Sequence, residues 1–369
     1  MRSAHRKPDF GRLLTALTLQ GEPDYVPLAE LIVCGEAMDA YMGRGIATAE
    51  DVIDFQIAAG YDYVNAWPHY DWNPGCVTPQ EGIRKSSGAF SDYTQNEVEI
   101  EWMTEGAGVI TCMDDFRSYQ FASPDDADYS GFEAYGAHLP DSMKLIATHG
   151  DIFRRVTELM GYETFCYALV EDPELVSAMF EKVGGIIYGL FERAVEKPKV
   201  GAVWYCDDIA YAEGLLCSPD ALRKYAFPHF KKIAGLAHSK GLPIIYHSDG
   251  VLWEVMDDLI DDIGFDALHP IEPKAMDIAE VKHRVGQRVG QRVGRQVCLI
   301  GNIDVDLLAR GTPEQVAELT RRRIAQVAPG GGYVLGSSNT IPNYCKAENF
   351  RAMVETARHF GRYPIAGSV

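Results

Sequence analysis

Eight short β-rich runs recur along the chain, most of them separated by long amphipathic helical patterns. The runs are Tyr25–Ile32, Tyr61–Pro68, Lys144–Gly150, Val200–Ile209, Leu242–Gly250, Ala267–Pro273, Gln296–Asp304 and Tyr333–Ile341. Strand–helix alternation over a whole chain calls for a parallel sheet. Eight strands fit a closed α/β barrel of the (β/α)8 TIM type, read here as a single domain over residues 1–369. A doubly wound sheet is the alternative, but the Gly-rich turn that dinucleotide binding needs after a first strand is absent.

Local signals place several helices. Ser218-Pro219-Asp220 supplies an N-cap, a proline at the first helical position and a first-turn acid. Its helix is predicted to run to about Lys240, end at Gly241 and kink at Pro228. Thr312-Pro313-Glu314-Gln315 has the form of a capping box, and Asp172-Pro173-Glu174 is a third start. Residues 80–140 are less regular and read as an insertion near the barrel mouth. Within them Val98–Cys112, with Gly106-Ala107-Gly108, suggests a hairpin. The repeat Val285-Gly286-Gln287-Arg288, Val289-Gly290-Gln291-Arg292, Val293-Gly294-Arg295-Gln296 reads as a duplication lengthening a surface loop.

Charge narrows the partners. With 34 Lys and Arg against 53 Asp and Glu, the net charge is −19, which repels nucleic acid and anionic lipid alike. No apolar run is long enough to span a bilayer. The 8 cysteines form no C-x-x-C pair and read as reduced thiols in a cytoplasm.

In a barrel, chemistry gathers at the C-terminal ends of the strands. Here those ends carry Glu30; Trp67, His69, Tyr70 and Trp72; His149; Tyr205, Asp207 and Asp208; His247 and Asp249; Glu272; Asn302; and Asn339. Chance would scatter polar residues over both ends of apolar runs, so the set reads as a pocket. Any single member serves as well to cap a helix or brace a loop. Adjacent strand residues point oppositely, so only one of Asp207 and Asp208 faces the axis, whereas His247 and Asp249 share a face. A histidine with carboxylates suits a divalent metal, acid–base work or a structural network, and the spacing does not choose among them.

These segments resemble the uroporphyrinogen decarboxylase superfamily, from about Phe10 to Pro364. The likeness rests on Gly21-Glu22-Pro23-Asp24-Tyr25-Val26-Pro27, Asp207-Asp208, His247-Ser248-Asp249-Gly250, His269-Pro270-Ile271-Glu272-Pro273, Gly301-Asn302-Ile303-Asp304, Gly311-Thr312-Pro313-Glu314 and Glu348-Asn349-Phe350. The resemblance implies one of two activities: cofactor-free decarboxylation of uroporphyrinogen, or methyl transfer involving a corrinoid protein, often with zinc. Glu30-Leu31-Ile32-Val33-Cys34-Gly35-Glu36 lacks the arginine that would grip a polycarboxylate. Where thiol-specific members carry His-x-Cys, this chain has His247-x-Asp249, and Gly336-Ser337-Ser338 lacks the later cysteine. The expectation is therefore an O-demethylase-type methyltransferase. It would move a methyl group from a small O-methyl compound, such as a methoxylated aromatic, to cob(I)alamin on a separate corrinoid protein, since the chain has no D-x-H-x-x-G cobalamin signature. Catalysis is assigned to His247, Asp249, Asp208 and Glu272, with His247 and Asp249 as zinc ligands. Substrate binding is assigned to Glu30, Trp67, His69, Tyr70, Tyr205, Asp207, Asn302 and Asn339. A metal-independent decarboxylase of uroporphyrinogen or another organic acid is the alternative, an inactive barrel acting as a binding subunit is a third reading, and a homodimer is left open.

Overall fold

The structure, a computed structural model, describes residues 6–72, 83–86, 100–103, 108–287 and 297–365, with 83–86, 100–103 and 286–287 described by backbone alone. Its strands are β1 Tyr63–Ala66, β2 Ile83–Ser86, β3 Ile100–Met103, β4 Lys144–Gly150, β5 Val200–Cys206, β6 Ala210–Tyr211, β7 Gly214–Leu215, β8 Ile244–His247, β9 Ala267–His269, β10 Cys298–Ile300 and β11 Tyr333–Val334. Strands β1, β4, β5, β8, β9, β10 and β11 pair in that order, all in parallel, into one seven-stranded sheet. Each falls within a run expected to be a strand. The fold is α/β, with a curled parallel sheet consistent with a TIM-type barrel.

The first expected strand is a correction. Tyr25–Ile32 forms no regular ladder; it touches the far edge through single parallel bridges, Leu28 to Leu335 and Val33 to Ile341. Leu335 donates to the Pro27 carbonyl (2.9 Å) and accepts in return from the Ala29 N–H (2.9 Å), which completes the one bridge. Toward β1 the contacts are made by side chains. The Tyr63 hydroxyl donates to the Glu30 carbonyl and accepts from the Glu30 N–H, each at 2.8 Å, and Asn65 Nδ2 donates to the Leu31 carbonyl at 2.7 Å. Among the described residues, no regular eighth strand joins the sheet.

Register brings the strand ends level. Gly150 lies beside Cys206, Cys206 beside His247, and His247 beside His269. Parallel pairing fixes this alignment through evenly spaced backbone hydrogen bonds, so whatever follows each strand emerges at one rim.

The helices cover the sheet. Asp172 caps Pro173–Ala194 by accepting from the Leu175 N–H, as its sequence signals. That helix buries Leu175, Val176, Met179, Val183, Ile187 and Leu190 at the three-to-four-residue spacing of one helical face. Gly184 lets it approach the helix Phe227–Ser239: a Cβ there would lie 2.3 Å from the His229 ring. The Thr312–Gln315 capping box forms as expected. The helix begun at Ser218 is not simply kinked. Leu222–Ala226 forms a π-turn, in which the Phe227 N–H reaches back to the Leu222 carbonyl before Pro228 starts the next segment. Pro228 cannot donate to the carbonyl four residues back, and the wider turn absorbs that loss.

Within the insertion, β3 pairs antiparallel with β2, upstream of it; the hairpin turn expected at Gly106-Ala107-Gly108 lies largely outside the described residues. Most of the Val285–Gln296 repeat lies outside them too. Among the described residues, no helix is long and apolar enough to cross a membrane.

Gly184 and Gly185 offer a matched pair. Gly184→Ala should destabilise the protein by about 1–3 kcal/mol through overpacking against His229. Gly185→Ala, with nothing within 4 Å of the new Cβ, should be neutral or stabilising by up to ~1 kcal/mol. Urea denaturation of both variants checks this; equal effects would contradict the packing argument.

Candidate active site

The two adjacent aspartates after β5 take opposite directions. Asp207 is fully buried and accepts from the Phe153 N–H (2.7 Å), the Arg154 N–H (3.1 Å) and the Tyr205 hydroxyl (2.7 Å). It thereby meets open donors at the start of helix Ile152–Met160, where Asp151, at φ 70°, provides no side-chain cap. Burial, then the neighbouring Asp151 charge, pushes its carboxyl up to about 8. The Asp207 carboxyl thus holds the start of this helix.

Asp208 faces the rim. Its Oδ1 accepts from the Asp249 N–H at 2.9 Å and lies 3.7 Å from His247 Nε2. His247, only 6% exposed, places Nδ1 2.8 Å from Nδ1 of His269. Burial pulls both imidazoles below their ordinary range, toward the neutral form. Asp249 Oδ2 accepts from Asn339 Nδ2 at 2.5 Å, while its Oδ1 is buried without a partner. Burial first, then the Asp208 and Glu272 charges, raises the Asp249 pKa. One ligand atom each from Asp208, His247 and Asp249 lies within 4.8 Å of the others, a group able to hold a metal ion. Beside it opens a cavity of about 280 Å³, lined among others by Asp249, Glu272, Asp304, Asp306 and Asn339. Glu272 Oε2 accepts from the Gly250 N–H at 3.2 Å, which ties the loop after β9 to the turn after β8.

The other expected residues divide. Asn302 is fully buried and donates to the Ile271 carbonyl (2.8 Å), bracing the loop that carries Glu272. Glu30 is buried beneath the last strand's exit, accepting from the Ser337 N–H (2.7 Å) and hydroxyl (2.5 Å). It shapes the turn that presents Asn339. Tyr205 points into the helix layer, with its ring 4.9 Å from Phe230 and 6.0 Å from Tyr246. Trp67 is half-buried and packs on the core. Tyr70 is held by the Ala122 carbonyl (2.6 Å) and meets Trp72 edge-on at 4.8 Å. His69 is exposed and exchanges backbone hydrogen bonds with Asp128.

Three participants were not assigned roles from the sequence. Asp151 and Arg154 lie close enough to Asp208 and His247 to act on them electrostatically. His269 is the third; it ends the run after the one that carries His247 and stands in one of the segments that carry the family resemblance.

Glu30 yields a pH prediction. Burial raises its carboxyl from 4.5 to about 8. The folded state thus keeps a proton that the unfolded chain has released, so stability falls as pH rises through this window. Glu30→Gln retains an oxygen for the Ser337 N–H and cannot ionise. Its stability, followed by urea denaturation from about pH 5 to 8, should fall less steeply with pH than wild type. Parallel profiles would count against a protonated Glu30.

Known proteins give this geometry a context. The family model for uroporphyrinogen decarboxylase (URO-D) matches residues 130–360. A methyltransferase from Methanosarcina mazei superposes with a TM-score of 0.66 at 17% identity, covering 96% of this chain and 99% of that one. A β-L-arabinopyranosidase from Geobacillus stearothermophilus gives a TM-score of 0.42 at 12% identity, covering 93% of this chain and 77% of that one. That second likeness carries no argument. No curated protein sequence matches the chain. The structural likeness speaks to fold alone, but the family match spans well over half of the sequence and includes the segments bearing Asp208, His247, Asp249 and Glu272: the chain belongs to the uroporphyrinogen decarboxylase family.

Proposed function

We propose that the protein is a methyltransferase that takes a methyl group from a small O-methyl compound, such as a methoxylated aromatic, and passes it to a corrinoid carried by a separate protein. The convergence of Asp208, His247 and Asp249 within 4.8 Å is the observation that carries this reading. The overall likeness to a methyltransferase fold supports it.

The donor set fits a divalent metal, and zinc is the ion proposed. Asp249 Oδ1 is an orphaned buried oxygen, and the set comprises one imidazole and two carboxylates. Nitrogen and oxygen donors suit a Lewis acid better than a thiol-activating centre, which favours thiolate ligands. When bound, the ion would polarise the oxygen of the methyl ether, making it a better leaving group. The chain's own residues do the rest. Asn339 fixes Asp249 through Oδ2, and the Asp249 N–H fixes Asp208. Glu272, on the cavity wall, is the carboxyl placed to move a proton at the departing oxygen. Tyr70 and Trp72 offer ring surface, and Arg155, 5.0 Å over Trp72, ties them to the helix that Asp207 caps. A cytoplasmic setting is proposed on the free cysteines among the described residues.

Methylation of a purified corrinoid protein, assayed over a panel of methoxylated substrates, tests this. His247→Ala should lower turnover at least ~100-fold while the protein stays folded. Undiminished activity in that variant would sink the mechanism. Removing metal with a chelator should abolish turnover, and zinc should restore it. A metal-free wild type inactive across the panel would favour decarboxylation of an organic acid instead.

A further inference from the structure

We propose that His269 is a positioning residue that leaves His247 only its Nε2 nitrogen to offer, and so makes it a ligand facing Asp208 and Asp249; this assignment rests on the metal reading above. The two histidines end neighbouring strands in direct register, β8 and β9. Their Nδ1 atoms lie 2.8 Å apart. Neutral imidazole carries one proton on two nitrogens, and a nitrogen–nitrogen hydrogen bond needs one proton between the rings. Whichever ring supplies it, Nδ1 of His247 is engaged and unavailable for any ligand. The remaining nitrogen, Nε2, is the one 3.7 Å from Asp208 Oδ1.

A cation among these groups requires a lone pair on Nε2. The ring proton of His247 then sits on Nδ1 and is donated to Nδ1 of His269, which carries its own proton on Nε2. Metal-bound histidines commonly donate their second N–H to a carboxylate, carbonyl or water, and that partner fixes the ring. Here an uncharged imidazole takes the partner's place. Trp204 steadies it, fully buried and edge-to-face with His269 at 5.0 Å and 86°. His269 itself is 1% exposed, so water does not compete for its Nδ1.

The experiment uses the full chain as wild type, His269→Phe and His269→Gln. Zinc affinity is measured by competition with a chromophoric chelator, and folding by circular dichroism. Phenylalanine keeps a flat ring without an acceptor and should weaken zinc binding ~10–100-fold. Glutamine supplies a carbonyl acceptor and should recover most of that loss. Nitrogen-15 NMR of zinc-loaded wild type should show His247 protonated at Nδ1. Equal affinity in His269→Phe, no recovery in His269→Gln, or a proton on Nε2 of His247 each overturns the assignment. The NMR result decides even where the phenylalanine variant fails to fold. Wild type that takes up no zinc removes the metal reading and this assignment together, whereas a variant unaffected beside a zinc-binding wild type removes this assignment alone.

Discussion

The register of three neighbouring strands governs the rest of the molecule's chemistry. Cys206, His247 and His269 stand side by side because parallel backbone hydrogen bonds lock β5, β8 and β9 at one level. A slip of one residue in β8 would turn His247 toward the helices and Tyr246 toward the axis. The ladder continues past the regular strands, with the Asp207 N–H on the His247 carbonyl and the Ser248 N–H on the His269 carbonyl. The candidate site groups therefore leave a rigid platform rather than free loops, the kind of support a precise site needs.

The paired aspartates show how closely stability and chemistry adjoin there. Asp207 is consumed by two backbone donors of a helix start and a tyrosine hydroxyl. Asp208, one residue on, contributes to the candidate metal group. The alternation of the extended chain separates the roles, so the same dipeptide anchors a helix on one face and furnishes an oxygen on the other. Glu30 and Asn302 repeat the pattern from farther away, holding the turns that present Asn339 and Glu272.

Much of this was legible in the sequence, and what was not has identifiable causes. Seven of the eight runs could be read because apolar segments with turn signals at both ends are local features. The direction of Tyr205 could not: a strand covered on both faces has no polar alternation to set its phase. The His247–His269 contact depends on the alignment of two strands separated in the sequence by a helical segment, which no local pattern encodes. Asp151 enters through a left-handed turn at φ 70° just beyond β4, where strand periodicity has ended. The pairing of Ile100–Met103 with Ile83–Ser86 could not be read either, because no local signal links segments that far apart. Pro228 announced a disturbance, but its sequence does not distinguish a bend from the π-turn that forms.

The orphaned oxygen of Asp249 has one more consequence. Burial and two neighbouring carboxylates make full ionisation of this cluster costly, so Asp249 tends to retain a proton. A bound cation would relieve the same excess of negative charge. At the proposed metal site, proton and cation would thus be rivals for one oxygen, and occupancy by either would be linked to the acidity of the surrounding medium. Filling the site from solution would release hydrogen ions, coupling its loading to pH before any substrate arrives.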